Sequence, residues 1–515
     1  MPVLAAATGC VGEPTTRPDI VLILADDLGF SDLSSQGGEI STPNIDSLAA
    51  HGVRFTNASN SARCCPSRAS LLTGAYSHRV GMGWMTAADL GRPAYRSELT
   101  ANCATLPEVL SGAGYHSFMA GKWHLTADVH SACLPAVSSW PTRRGFEAFF
   151  GILGGESSYD SPQFLFRNET LVQPGPGFYL TDAISDAAVE FCKAPVSGPR
   201  FVYVAYTAPH WPLHAPEEEV ERNLPTYQSG YDTIRDGRLE RMRELGLLAA
   251  GQKEAPGSTP DWTSLGPEVQ ADQSRRMATY AAQIHAMDRG VGRILKAVAE
   301  SGRADNTLVI FASDNGACAE VLEAPPLPSD LSESQRSSYG TAWASISSLP
   351  FRGQKSDSLQ GGVATPFFVR WPGHAAPGTC IPDPIHFIDV LPTCADAAGA
   401  AIPREREIMP DGLSLLPTLA GRALPARDLY FEHEGGRAIR RGSLKALAMP
   451  GSQTWQLYDL EHDPAELHDL SARRPDDLQS LQRAWTQWAE RNGVLPLDAR
   501  DWGQRVKSPS TGDKP

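Results

Sequence analysis

The chain has 515 residues, 41% hydrophobic and 20% charged, a composition of ordinary soluble globular type. That length exceeds what one hydrophobic core usually supports, so a large domain and a smaller one are expected. Asp and Glu outnumber Lys and Arg by 59 to 45, an acidic balance that repels phosphate backbones and excludes nucleic acid as an expected partner. Other polyanions would be repelled too, so any anionic substrate needs a locally cationic pocket. No apolar run is long enough to span a bilayer. The nine Cys are odd in number and scattered without zinc-type spacing, which neither demands nor excludes a disulfide.

In chain order, the opening Met1 to Cys10 resembles the tail of a bacterial lipoprotein signal. It lacks a basic n-region and is too short for a full signal peptide. The expectation is a periplasmic, membrane-anchored or secreted protein with Cys10 as a candidate lipid anchor, or a cytoplasmic one if the segment is no signal. Residues 1–16 are set aside on this reading. Ile20 to Ala25 is a continuous apolar run of buried-strand type that stops at Asp26-Asp27. Thr42-Pro43 opens a helix that Gly52 ends. Thr105 with Glu108 forms a capping box ahead of a strand at Tyr115 to Ala120, which delivers Gly121-Lys122-Trp123-His124. The strand Phe201 to Tyr206 delivers Ala208-Pro209-His210-Trp211. An apolar stripe from Tyr280 to Val298 marks a helix over Arg275 to Glu300, followed by a strand at Thr307 to Ala312 that ends at Ser313-Asp314-Asn315-Gly316.

Polar groups thus recur at the C-terminal ends of buried strands separated by helices, where open α/β sheets bind ligands. The fold class that follows is α/β: a large mixed, mostly parallel sheet sandwiched by helices over residues 17–421. Residues 216–267 and 317–350, polar and proline-punctuated, read as insertions framing a pocket. Beyond about Gly421, short strands at Leu429 to Glu434, Ser443 to Met449 and Trp455 to Leu460 and a helix at Asp476 to Arg491 indicate an α+β subdomain built on a short antiparallel sheet, over 422–506. A disordered tail is expected at 507–515.

Cys64-Cys65-Pro66-Ser67-Arg68 leads into a helix-compatible run ending Leu72-Thr73-Gly74. A thiol, a proline and a guanidinium at a helix N-terminus form a place to hold an anion and activate a nucleophile. Taken alone, a Cys-Cys-Pro reads as a buried pair beside a turn. The whole string resembles the signature of the sulfatase family, Cys-x-Pro-Ser-Arg-x-x-x-Leu-Thr-Gly, at every specified position. The resemblance runs from about Pro18 to Leu470, and Ser338 to Trp343 and Phe431 to Gly435 are most similar to the bacterial arylsulfatase branch.

By their chemistry, Asp26, Asp27, Asp314 and Asn315 offer hard oxygen ligands suited to Ca²⁺ or Mg²⁺ rather than zinc. The resemblance implies that they bind the family's metal together with residue 64, with Ca²⁺ preferred over Mg²⁺. It implies that a maturase oxidises Cys64 to formylglycine, whose hydrate attacks sulfur in line. Arg68 would hold that group, Lys122 and Lys355 would neutralise sulfate oxygens, His210 with Lys355 would protonate the leaving alcohol or phenol, and His124 would take the proton that lets sulfate leave. A lone Lys is more often a solvated surface group and a His beside Trp a satisfied core residue. The expected substrate is a small aryl or glycan sulfate ester. The rivals are a phosphonate monoester or phosphodiester hydrolase of the same superfamily and a non-catalytic sulfated-glycan binder with unmodified Cys64. One departure from the branch is Gln360 where Glu is usual, which puts the orientation of Lys355, and so leaving-group preference, in doubt.

Overall fold

The computed structural model describes residues 17–128, 137–249, 251–321 and 337–507. The expected signal remnant with Cys10, and the tail beyond Lys507, lie outside them. Ten strands form one sheet in the order Thr379–Ile381, Val53–Phe55, Phe367–Arg370, Thr307–Ser313, Asp19–Ala25, Arg200–Ala205, His116–Lys122, Ala148–Ile152, Leu165–Arg167, Thr170–Val172. The five strands from Thr307–Ser313 to Ala148–Ile152 are mutually parallel, and antiparallel neighbours flank them on either side.

Side chains on a strand alternate between faces, and the central strand divides accordingly. Val21, Ile23 and Ala25 enter a core built on the long helix Pro267–Glu300 and the helix Leu180–Cys192. Ile20, Leu22 and Leu24 enter a second core with the helices Cys64–Thr73, Leu106–Ser111 and Val390–Ala398. Burial on both faces explains why the strand reads as an unbroken apolar run. The capping box at Thr105 and Glu108 forms as expected.

The long helix begins at Pro267, two turns before the expected start, because proline serves as a first helical residue. Residues 216–267 are not irregular as expected: they carry helices Glu217–Tyr227 and Tyr231–Glu244. Pro225 inside the first and the charge-rich run of the second hid them, and buried tertiary contacts such as Tyr227 against Trp343 hold them in place. In the second expected insertion, Gly340–Ser347 is also helical.

The smaller unit is a four-stranded antiparallel sheet, Asp428–His433, Gly436–Arg441, Leu444–Ala448 and Gln456–Asp459. Gly436–Arg441 was not anticipated. One face packs on the helix Pro475–Arg491 through Ile439, Ala446, Leu457, Leu481 and Trp485. The other sets Leu429, Phe431, Leu447 and Tyr458 against Ala62, Leu359 and Val363 of the larger unit, beside Cys64 and Lys355. No helix among the described residues is long and apolar enough to cross a membrane, and none of their seven cysteines is paired.

Candidate active site

Sheet register assembles the site. Ala25 pairs with Ser313 in parallel strands, so Asp26-Asp27 and Asp314-Asn315 leave the sheet side by side. In a strand two successive carboxylates would point to opposite faces. Asp27 instead takes a left-handed backbone, φ 65°, and both carboxylates reach one centre; their oxygens and a His210 nitrogen lie within 4.8 Å of one another. Asn315 Nδ2 donates to Asp27 Oδ1 at 2.6 Å and Asp27 N to Asp314 Oδ1 at 3.3 Å. Gly316 permits this convergence, since a Cβ there would sit 1.8 Å from the Gly361 carbonyl oxygen.

Cys64 is the first residue of a helix buried throughout, and one turn on Arg68 faces the carboxylates. Arg68 Nε and Nη2 donate to Asp314 Oδ2 at 2.9 and 2.7 Å, Nη2 lies 3.5 Å from Asp26 Oδ2, and Nη1 donates to the Lys122 carbonyl at 2.9 Å. Lys122 Nζ contacts Asp26 Oδ2 at 2.5 Å and Lys355 Nζ contacts Asp27 Oδ1 at 2.7 Å. His124, at φ 55°, places a ring nitrogen within 4.8 Å of the Cys64 and Cys65 sulfurs. Gly155 leaves room for that ring, because a Cβ would fall 2.5 Å from its Cε1. His210 Nε2 lies 3.5 Å from Asp27 Oδ2, and its Nδ1 bonds the Trp211 carbonyl. Cys64, Arg68, Lys122, His124, His210, Lys355, Asp26, Asp27, Asp314 and Asn315 therefore share one buried centre.

The electrostatics favour an anion at position 64 and a cation beside it. A hydrogen bond with Cys65 draws the Cys64 thiol well below its usual value; burial opposes this, and Lys122 and His124 reinforce it. An oxygen anion at that position would meet the same partners. Burial depresses His124 and pushes His210 down to about 4; Asp27 pulls His210 the other way, while Lys355 and Lys122 add to the fall. Burial would lower Lys355 as well, but Asp27 outweighs it and holds the ammonium well above its usual range. Burial and the neighbouring Asp26 charge push Asp314 up to about 7.

This donor set fits a hard divalent cation. Asp26 Oδ1 and Asn315 Oδ1 are buried with no partner, carboxylates crowd together, and the potential ligands are oxygens.

Gln360, where the branch usually has Glu, bonds away from Lys355. Its Oε1 accepts from Lys445 Nζ of the smaller sheet at 3.0 Å, and Lys445 pairs with buried Glu466 at 2.8 Å. Its backbone N donates to Glu466 at 2.7 Å. The amide ties the two units together and keeps that pair free of an extra charge.

Sequence reading missed Arg63, Glu320 and the contribution of His433. Arg63 Nη1 bonds Glu320 Oε1 at 2.8 Å and Ser356 Oγ at 2.9 Å, one residue past Lys355. Glu320 lies beyond Asn315 in a segment without regular structure, where no periodicity signals a role.

Comparison with known proteins agrees with this geometry. A profile of the Sulfatase family matches residues 18–400, and one described as N-sulphoglucosamine sulphohydrolase, C-terminal, matches 358–487. An uncharacterised sulfatase of Schizosaccharomyces pombe is 32% identical over 93% of this chain and 94% of its own. An arylsulfatase of Klebsiella aerogenes is 32% identical over 76% of this chain and 89% of its own. Among solved structures, Ps i-CgsB in complex with k-i-k-neocarrahexaose superposes with a TM-score of 0.70 at 26% identity, covering 96% of this chain and 97% of that one.

Proposed function

The chain belongs to the sulfatase family and is a sulfuric ester hydrolase; on that premise we propose that it cleaves small aryl or glycan sulfate esters with a formylglycine made from Cys64 by a maturase. Ca²⁺, in preference to Mg²⁺, would be held by Asp26, Asp27, Asp314, Asn315 and residue 64. Bound there, the cation would polarise a sulfate oxygen and favour the ionised hydrate.

The remaining work falls to the chain's own groups. Arg68 and Lys122 stabilise negative charge at residue 64 and on the sulfate, in a site where little water dilutes their field. His124 sits beside residue 64 with Nδ1 buried and unpartnered, and as a neutral imidazole it serves as the base for a proton there. On the other side, His210 and Lys355 share Asp27 and face the leaving oxygen. Lys355 retains its proton at neutral pH while His210 does not, so the ammonium is the standing proton source and His210 the relay.

The observation that carries this reading is the joint burial, around one centre, of a thiol position that favours an anion, three cations and an oxygen-only ligand set. The test is the mass of the peptide bearing residue 64 from protein made with a formylglycine-generating maturase. The modified peptide should be about 18 Da lighter than the thiol form, and hydrolysis of 4-nitrophenyl sulfate should track the modified fraction. Turnover by an unmodified thiol, or a higher kcat/KM on an aryl phosphodiester, would overturn it.

A further inference from the structure

Exposure rises in one direction from the buried centre. The side chains of Asp27 and Lys355 are 1% and 2% exposed, Arg63 is 16% and Glu320 31%. Arg63 and Glu320 are thus groups linked to this centre that solvent reaches, the side on which the alcohol part of a substrate has room. Trp211 stands on the same side, its ring centroid 4.7 Å from that of His210 and its Nε1 donating to Glu320 Oε2 at 2.8 Å.

The smaller sheet adds a further wall. His433 ends the strand Asp428–His433; it is 1% exposed, and neither ring nitrogen has a partner. Glu434 follows at φ 48° and accepts from Trp84 Nε1 at 2.9 Å. Arg63, the residue just before Cys64, carries a charge that acts on both His433 and Glu434, and its own Nε is buried and unpartnered. Both nitrogens of this buried imidazole are open to a hydrogen-bonding group from outside the chain.

We propose that Trp211, Glu320, Arg63, His433 and Glu434 form a leaving-group subsite for a polyhydroxylated, sugar-type alcohol, with His433 reading a hydroxyl near the sulfated carbon. The inference rests on the sulfate-ester reading above and narrows it. The chemistry matches in kind. A neutral imidazole offers one donor and one acceptor, as a hydroxyl does. Arg63 Nε donates, the carboxylates of Glu320 and Glu434 keep lone pairs beyond those bonded to Arg63, Trp211 and Trp84, and the half-buried indole presents an apolar face to a sugar ring. A flat aryl group would leave the His433 ring nitrogens and Arg63 Nε without a partner. Burial favours the uncharged imidazole that this pairing needs.

The test compares kcat/KM on glucose and galactose monosulfates with kcat/KM on 4-nitrophenyl sulfate, for modified wild-type protein and for His433→Ala, His433→Asn and Glu320→Gln. The inference expects His433→Ala to lower the sugar-to-aryl ratio roughly 10- to 100-fold, chiefly through KM. His433→Asn, which keeps a donor and an acceptor, should recover part of the loss. Glu320→Gln, at the exposed end, should lower the ratio in the same sense with an unchanged melting temperature. A ratio unmoved by both His433→Ala and Glu320→Gln would overturn the subsite, as would wild-type protein that hydrolyses 4-nitrophenyl sulfate but no sugar monosulfate. Failure on both substrate classes would instead overturn the sulfate-ester reading itself.

Discussion

Two buried carboxylate clusters lie within a few residues of each other and are built in opposite ways. In the first, around Asp26, Asp27 and Asp314, Asp26 Oδ1 and Asn315 Oδ1 have no partner, and burial with Asp26's charge pushes Asp314 up to about 7. In the second, Arg238 closes Asp32 and Glu39 completely. Arg238 Nη1 meets Asp32 Oδ1 at 2.6 Å, while Tyr280 and the Gly29 N–H donate to Oδ2 at 2.7 and 2.8 Å. Arg238 Nε and Nη2 grip Glu39 at 2.7 and 2.8 Å, and Tyr227 adds a bond at 2.9 Å. Tyr280 also reaches the Asp27 carbonyl at 3.2 Å, so the closed cluster braces the open one. The contrast separates two uses of buried charge. Fully partnered carboxylates fix a backbone turn, whereas carboxylates left with idle oxygens are arranged for something that arrives from outside.

The comparison breaks if changes at the open centre act through the fold. Cys64→Ala should lower sulfatase turnover on the order of 10⁴-fold or more, with an unchanged melting temperature. Asp314→Asn, which keeps an acceptor for Arg68, should cost about 10²–10³-fold in turnover. Added Ca²⁺ should raise the melting temperature of the wild type, and the substitution should abolish that rise. A calcium-dependent rise that survives the substitution would remove Asp314 from the ligand set.

At the closed cluster the signs reverse. Arg238→Met strands two buried carboxylates and should cost about 3–5 kcal/mol of stability, read from urea unfolding, while turnover per folded molecule stays within about threefold. A large loss of specific activity without loss of stability would erase the distinction.

The smallest effect is a slope. Because Asp314 is raised in the fold, the folded state of chelator-treated protein binds more protons than the unfolded state between about 4 and 7, so its stability should fall as pH rises through that window. One group can contribute at most about 1.4 kcal/mol per pH unit. Ca²⁺ should suppress the slope. Glu39 behaves oppositely. Burial alone would raise it, yet Arg238 outweighs burial and holds it below its ordinary value, so its contribution is present above about pH 4.5 and is lost as pH falls further. Burial raises Asp32 despite Arg238, which adds to the fall of stability with rising pH, so Ca²⁺ isolates the open centre: a slope that Ca²⁺ leaves unchanged would mean that it does not come from Asp314.

Much was legible in the chain. The apolar runs ending in Asp26-Asp27 and Asp314-Asn315, the capping box at Thr105, the amphipathic stripe of the long helix and the Cys64 to Gly74 string are local patterns, and burial, capping and motif chemistry act locally. The helices at Glu217–Tyr227 and Tyr231–Glu244 were not legible, because their charge-rich sequences are held by distant partners such as Trp343 and Glu39. The partner of Gln360 was not legible for the same reason: its neighbour in sequence is the Lys355 loop, but its neighbour in space is Lys445.

The sequence by itself determined the candidate groups of the site, the strands that carry them and the edge of the sheet at which they stand. Only the tertiary structure decided that Asp27 and Asn315, 288 residues apart, share a hydrogen bond. It also decided that His433 of the smaller sheet is buried with both ring nitrogens unpartnered, and which buried oxygens stay idle. Those outcomes depend on strand register and on the smaller sheet packing against Ala62, Leu359 and Val363 of the larger unit, and neither is encoded in any short stretch of chain.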